Sequence, residues 1–181
     1  MRNRQNLINA LDLCADLFAF PNDDWCEKYL ELGKFANGEF AESFDEFSSF
    51  RFKNLKMPNL EEITSNYISY FDLNSAKFGT SLLGGIWLDK KMFGATYDEI
   101  CKFYESCGYE VKKDCDHISN LIAFCAILAE NGEFDKFSRF CKFLSWFELL
   151  RKNLVNLPDL IHFEFILCVS EFIIEYLKEQ K

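Results

Sequence analysis

The sequence predicts an all-α protein, a single compact multi-helix bundle of about seven to nine helices. Three observations predict it. Apolar residues recur at spacings of three and four along nearly all of the 181 residues, and no stretch alternates apolar and polar residues as a half-buried strand does. Turn formers are scarce, with three Pro and eight Gly, too few for a many-stranded fold. Helix start and stop signals stand where the periodicity begins and ends. No linker interrupts the pattern, so residues 1–181 read as one domain, long enough to bury a substantial core rich in the chain's 21 Phe.

The first helix places Leu7, Ile8, Leu11, Ala15 and Phe18 on one stripe and is stopped by Pro21. A second begins at Asp23 or Asp24 and turns Trp25, Tyr29 and Leu32 inward, and a third carries Phe40, Phe44 and Phe47. Pro58-Asn59 restarts the chain. Asn59 with Glu62 makes a variant capping box, and Leu60, Ile63, Tyr67 and Tyr70 or Phe71 form the buried face behind it. From Asn74 to Gly94 the periodicity blurs, because Gly79, Gly84, Gly85 and Gly94 break a stretch holding Phe78, Leu82, Leu83, Ile86 and Trp87. Apolar side chains on irregular backbone are common in binding grooves. Thr96-Tyr97-Asp98-Glu99 is a T-x-x-E capping box ahead of Ile100, Phe103, Tyr104 and Cys107, and Gly108 ends that helix. Asp116 reads as the N-cap of a helix with Ile118, Leu121, Ile122, Cys125 and Leu128 inward, which Asn131-Gly132 ends. One further helix runs through Phe134, Phe137, Phe140, Cys141, Leu144 and Phe147, and Leu157-Pro158-Asp159 opens the last.

Charge and cysteine usage exclude several classes. A formal net charge of −9 argues against nucleic acid, whose phosphates require clustered Lys and Arg, and suits a basic peptide. The N-terminal apolar stretch is broken by Asp12 and Asp16 and has no small-residue cleavage site, so no secretory signal is expected and the cytoplasm is the expected compartment. Leu160 to Leu177 is the most apolar stretch, yet it carries His162, Glu164, Glu171 and Glu175, charges too expensive for a bilayer core. It reads as a buried helix, without stable membrane insertion. The eight Cys contain no CxxC pair and fall mostly on apolar helical faces, so reduced core thiols are expected.

Catalytic vocabulary is nearly absent: no G-x-S-x-G, P-loop, G-x-G-x-x-G or H-E-x-x-H occurs, and only two His. No enzyme activity, cofactor or metal is expected. Cys115-Asp116-His117 with Cys107 nearby lacks the paired ligand spacing of a structural zinc site. Gly84-Gly85 lacks the Lys-Ser/Thr of a phosphate cradle and reads as a flexible turn beside Trp87. That leaves Asp116-His117. Capping explains the Asp, but a cation at a helix N-terminus opposes the dipole, so the His is expected to be neutral and able to hydrogen-bond an extended peptide.

The order of these features resembles the TorD family of molybdoenzyme-maturation chaperones, which includes TorD, DmsD and, more distantly, NarJ. Leu17-Phe18-Ala19-Phe20-Pro21 matches an early L-F-x-x-P helix end, and Tyr67-Ile68-Ser69-Tyr70-Phe71 a Tyr-x-x-Leu-Phe element with Tyr70 in the place of Leu. Phe103-Tyr104-Glu105-Ser106-Cys107-Gly108 matches Phe-Tyr-x-x-x-Gly, and Asp116-His117-Ile118 the Asp-His helix start. The likeness spans roughly residues 10 to 175. Asp114-Cys115 replaces a Pro often found before Asp-His, Leu121-Ile122 a Glu-Leu pair, and Lys142 the His of a His-Leu-x-x-Trp element ending at Trp146. The resemblance implies a cytoplasmic, all-helical chaperone, not an enzyme. Its partners would be the twin-arginine leader and apo-enzyme of a molybdoenzyme precursor, withheld from export until the cofactor is inserted. Tyr70, Phe71 and Trp87 would line an apolar groove with Asp116 and His117 at its rim. The expected assembly is a monomer or a domain-swapped dimer. The other readings are a generic helical protein-interaction module and a weak nucleotide-binding enzyme.

Overall fold

A computed structural model describes residues 3–39, 52, 55–110 and 113–179. Among them are ten α-helices, eight of seven residues or more, and no strand. The helices are α1 (Arg4–Leu17), α2 (Trp25–Glu39), α3 (Leu60–Tyr67), α4 (Ser75–Phe78), α5 (Gly84–Leu88), α6 (Ala95–Ser106), α7 (Ile118–Glu130), α8 (Phe134–Phe140), α9 (Phe147–Leu154) and α10 (Ile161–Lys178). The predicted helix with Phe40, Phe44 and Phe47 lies outside the described residues.

The core is built on α1 and α7, the most extensively packed pair, with α2 and α10 also against α1. The stripe Leu7, Ile8, Leu11, Ala15 and Phe18 is buried, as are Leu121, Ile122, Cys125 and Leu128 of α7. Aromatic rings knit the rest. Phe163 of α10 meets Phe18, Trp25, Tyr67 and Phe71, the last edge-on at 4.9 Å between centroids. Phe124 of α7 meets Tyr104 at 4.4 Å and Phe140 at 4.8 Å, also edge-on. Such tilted pairs stabilise beyond their buried area. Two buried ring donors find backbone acceptors: Trp25 Nε1 donates to the Leu17 carbonyl and the Tyr104 hydroxyl to that of Cys115.

Helix ends follow local chemistry. Asn59 Oδ1 accepts from the Glu62 N–H at 2.7 Å, the first half of the predicted box. Gly108 and Gly132, at φ +82° and +72°, take the left-handed turn, with Tyr109 N–H to Tyr104 O and Glu133 N–H to Leu128 O closing each Schellman motif. A π-helical turn, Ile68–Leu73, prolongs α3, and it buries Phe71 while leaving Tyr70 at the edge. The short helices α4 and α5 fall in the irregular stretch that the glycines foretold, whereas the π turn before it was not foreseen.

Three expectations are corrected. The Phe134-to-Phe147 helix is three pieces, α8, a 3₁₀ turn at Cys141–Leu144, and α9. Its aromatics at 134, 137, 140, 143 and 146 step by three, the period of a 3₁₀ turn rather than of an α-helix. Thr96 does not cap α6. Its N–H and hydroxyl both donate to the Asp89 carboxylate, at 2.7 and 2.9 Å, so an acid from the preceding turn supplies the cap. The cysteines are not all reduced: Cys101 and Cys115 form a disulfide joining α6 to the segment before α7, their Cα atoms 6.1 Å apart. The link crosses a helix end and a loop, which no short Cys spacing announces.

α10 is the buried helix expected at the apolar C-terminal stretch, opened by a 3₁₀ turn at Pro158–Leu160. No helix among the described residues is long and apolar enough to cross a membrane.

Candidate functional site

The irregular stretch is tied to the start of α7 by a short antiparallel bridge between Leu83 and His117. Ile118 N–H donates to Leu82 O at 2.8 Å, and Gly84 N–H donates to Asp116 O at 2.9 Å. This pairing brings the first turn of α5 against Asp116. The Asp116 carboxylate then accepts from the Gly85 N–H at 2.7 Å. One residue thus satisfies the first two free N–H groups of α5, with its negative charge at the positive end of the helix.

Asp116 is therefore not the N-cap of its own helix, as the sequence suggested. His117 is: its Nδ1 accepts from the Ser119 N–H at 3.2 Å. A ring nitrogen that accepts carries no proton, so the imidazole is neutral with hydrogen on Nε2. Burial holds the His117 pKa down to about 4, against a smaller opposing pull from Asp114. The expected neutral imidazole is present, for a reason the sequence did not show. Burial also raises the Asp116 pKa, and the Gly85 N–H counters it.

Gly84-Gly85 is likewise no flexible turn. Both residues are buried in the first turn of α5. A Cβ on Gly85 would stand 2.9 Å from Lys91 O and 3.1 Å from Asp116 Oδ2, and one on Gly84 would stand 3.0 Å from Trp146 Nε1. Only glycine admits this approach. The Asp116 carboxylate occupies the place where a phosphate would meet these N–H groups.

Trp87 follows on the same short helix. Its indole stacks on Trp146 at 6.0 Å and 16°, and its Nε1 donates to Ser81 O at 2.8 Å. Trp146 is fully buried, and its Nε1 has no hydrogen-bond partner among the described residues. After α5 the chain turns through Lys90 and Phe93, both at positive φ, 59° and 52°, which costs energy in any residue but glycine. The turn leaves Leu88, Met92 and Phe93 exposed, Phe93 at 63%. Met92 and Phe93 were missed in the sequence because exposure of an apolar loop residue has no periodic signature.

Trp87, Asp116 and His117 are thus brought together around α5. Tyr70 stands apart, its hydroxyl donating to Asp159 at 2.7 Å, and reaches the cluster through its carbonyl, which accepts from Thr80. Phe71 is buried in the core between Tyr67 and Phe163. Cys115 is held in the disulfide, Asp116 faces Gly85 and His117 Nδ1 faces Ser119, so the three side chains do not converge on one point.

The sequence model of the nitrate reductase delta subunit matches residues 35–151, more than half of the chain and the whole of this cluster. The chain belongs to the nitrate reductase delta subunit family. That family is one of redox-enzyme maturation chaperones rather than catalysts, in agreement with the TorD-like resemblance. A crystal structure of a candidate redox enzyme maturation protein from Archaeoglobus fulgidus shares the fold, at 19% identity and a TM-score of 0.61 over 95% of each chain. No curated protein matches the sequence. Within this delta subunit family protein, the α5 knot is the place where tight backbone packing, strained turns and exposed apolar side chains coincide.

Proposed function

We propose that this maturation chaperone acts in the cytoplasm, where it binds the twin-arginine signal peptide of a molybdoenzyme precursor and withholds the apo-enzyme from export until its cofactor is inserted. The peptide would lie along α5 and the turn after it. The observation that carries the reading is the held knot: a backbone fixed by Asp116 and Gly85 presents Trp87, Leu88, Met92 and Phe93, and the helix bridged to it opens on a neutral His117 whose remaining donor is Nε2–H. Preorganised apolar contacts lower the entropy cost of binding an extended apolar segment. The net charge of −9 favours the basic end of such a leader through long-range attraction.

Titration calorimetry with the leader encoded beside this gene tests the reading. Trp87→Ala should weaken binding by roughly 2 kcal/mol, as loss of a central aromatic contact does. Binding should also weaken as salt rises. Failure of every such leader to bind, or equal affinity for a leader whose apolar centre is replaced by Ser and Gly, sinks it.

A further inference from the structure

The Cys101–Cys115 disulfide ends where the knot begins. Cys115 is wholly buried and directly precedes Asp116, whose carbonyl and carboxylate hold the first turn of α5. Cys101 lies midway along α6 and is the more exposed of the two. Further along α6, the Tyr104 hydroxyl donates to the Cys115 carbonyl at 3.2 Å. Residues 115 and 116 thus form a strut: α6 grips it through the disulfide and Tyr104, and it grips α5 in turn. The surroundings also suit the broken bond. The Tyr97 carbonyl stands 3.6 Å from Cys115 Sγ, an acceptor in place for the thiol that reduction makes, so opening the bond leaves no unpaired donor in the core. The Tyr104 bond and the Ile118 N–H bond to Leu82 O still hold the segment, so reduction loosens the strut without releasing it.

We propose that Cys101–Cys115 is a site of reversible thiol–disulfide exchange with a dithiol reductant, and that its state sets how firmly α5 and the turn after it are held. The reductant's thiolate attacks Cys101 Sγ, the more exposed sulfur. The Cys101–Cys115 bond breaks, and Cys115 leaves as a thiolate that takes up a proton beside the Tyr97 carbonyl. The reductant's second thiolate then attacks its own sulfur in the mixed disulfide, and Cys101 leaves and is protonated. Two electrons and two protons pass from the dithiol to the protein, and the dithiol departs as a disulfide; the reverse steps close the bond. Cytosolic disulfides are usually transient, which suits a switch better than a permanent staple. One consequence rests on the function proposed above: the closed form, with α5 already ordered, binds the leader more tightly. Linkage then requires that bound leader make the disulfide harder to reduce by the same factor.

The test equilibrates the folded full-length protein with reduced and oxidised dithiothreitol at set ratios and follows each cysteine by alkylation and peptide mass mapping. Cys101 and Cys115 are expected to lose and regain their bond together without denaturant. Hydrogen exchange at Gly84 and Gly85, whose amides are bonded to Asp116, should be about tenfold faster in the reduced protein, while the α1 amides keep their rates. Cys101→Ser should exchange like the reduced form at every ratio, and the two redox forms of the unaltered protein decide the matter should that variant fail to fold. Leader binding should weaken on reduction by roughly the same factor, within the usual span of coupling between two sites. The proposal is overturned if the bond yields only once the protein is denatured, if α5 exchanges alike in both forms, or if a leader that binds does so equally to both. A leader that binds neither form counts against the proposed function, and the exchange at Gly84 and Gly85, which needs no leader, still decides the switch.

Discussion

Replacing His117 by Ala removes two things at once, the cap of α7 through Nδ1 and the N–H donor at Nε2. An Ala scan at this position therefore reads stability as well as binding. Loss of a cap costs about 1 kcal/mol, so His117→Ala should lower denaturant stability by that order even without a ligand. His117→Ser keeps an acceptor for the Ser119 N–H and discards the imidazole. It should match the parent in stability and still bind the leader more weakly, and equal binding by parent and Ser variant would make His117 a cap only. Asp116 offers no such separation, because its carbonyl and carboxylate both hold α5. Gly85 is the third residue of this set. A methyl there would meet the backbone of Lys91, so Gly85→Ala should destabilise by about 1–3 kcal/mol, the usual cost of overpacking, where Ala in an open helix stabilises. A rise in melting temperature for Gly85→Ala would contradict the packing described.

Among the elements, those legible in the sequence are the ones whose cause is local. The α1 stripe, the inward face of α7 and the Gly108 and Gly132 stops rest on periodicity or on a left-handed turn, which a few neighbouring residues determine. What the sequence hid was settled by partners distant along the chain. Asp116 resembles an N-cap because Asp usually caps, but its carboxylate faces Gly85, 31 residues away. The capping box at Thr96 fails for a nearer reason, since Asp89 offers a full carboxylate to both Thr96 groups. Tyr70 and Phe71 could not be told apart until the π turn set which of them faces the core. The cap assignment is directly testable. Asp89→Ala should destabilise by about 1–2 kcal/mol through loss of two hydrogen bonds to one carboxylate. Glu99→Ala should change stability by less than about 0.5 kcal/mol, because the ion pair Glu99 makes with Lys142 is exposed. If the order were reversed, the box read from sequence would be the real cap.

For the whole molecule, three groups with strongly shifted pKa values shape how stability depends on pH, and they do not act in one direction. Burial lowers His117 and His162 from the ordinary 6.5 to about 4, His162 beside the Tyr29 hydroxyl at 2.9 Å. Both stay neutral when folded and take protons when unfolded, so the stability they lend is complete above pH 6.5 and is lost as pH falls from 6.5 toward 4. Glu171 behaves oppositely. Burial raises it from 4.5 to about 7, only partly offset by Arg151 at 3.0 Å, with Glu148 and Glu175 adding to the rise. The folded state holds this proton more tightly, so its contribution is complete below pH 4.5 and is lost as pH rises toward 7. Between pH 4.5 and 6.5 the unfolded chain gains two protons on the His while the folded chain keeps one on Glu171. Stability should then climb with pH at a net slope of one proton, at most about 1.4 kcal/mol per pH unit, and level off near pH 7. Asp116, also raised by burial, acts in the same sense as Glu171 above the ordinary carboxylate range and flattens the acid end of the climb. Glu171→Gln keeps an acceptor for Arg151 and removes the opposing proton. Denaturant titrations at half-unit pH steps should find the slope between pH 4.5 and 6.5 close to doubled in this variant. An unchanged slope would mean that the Glu171 carboxyl titrates alike in the folded and unfolded chains, and that the α9–α10 ion pair is solvated rather than buried.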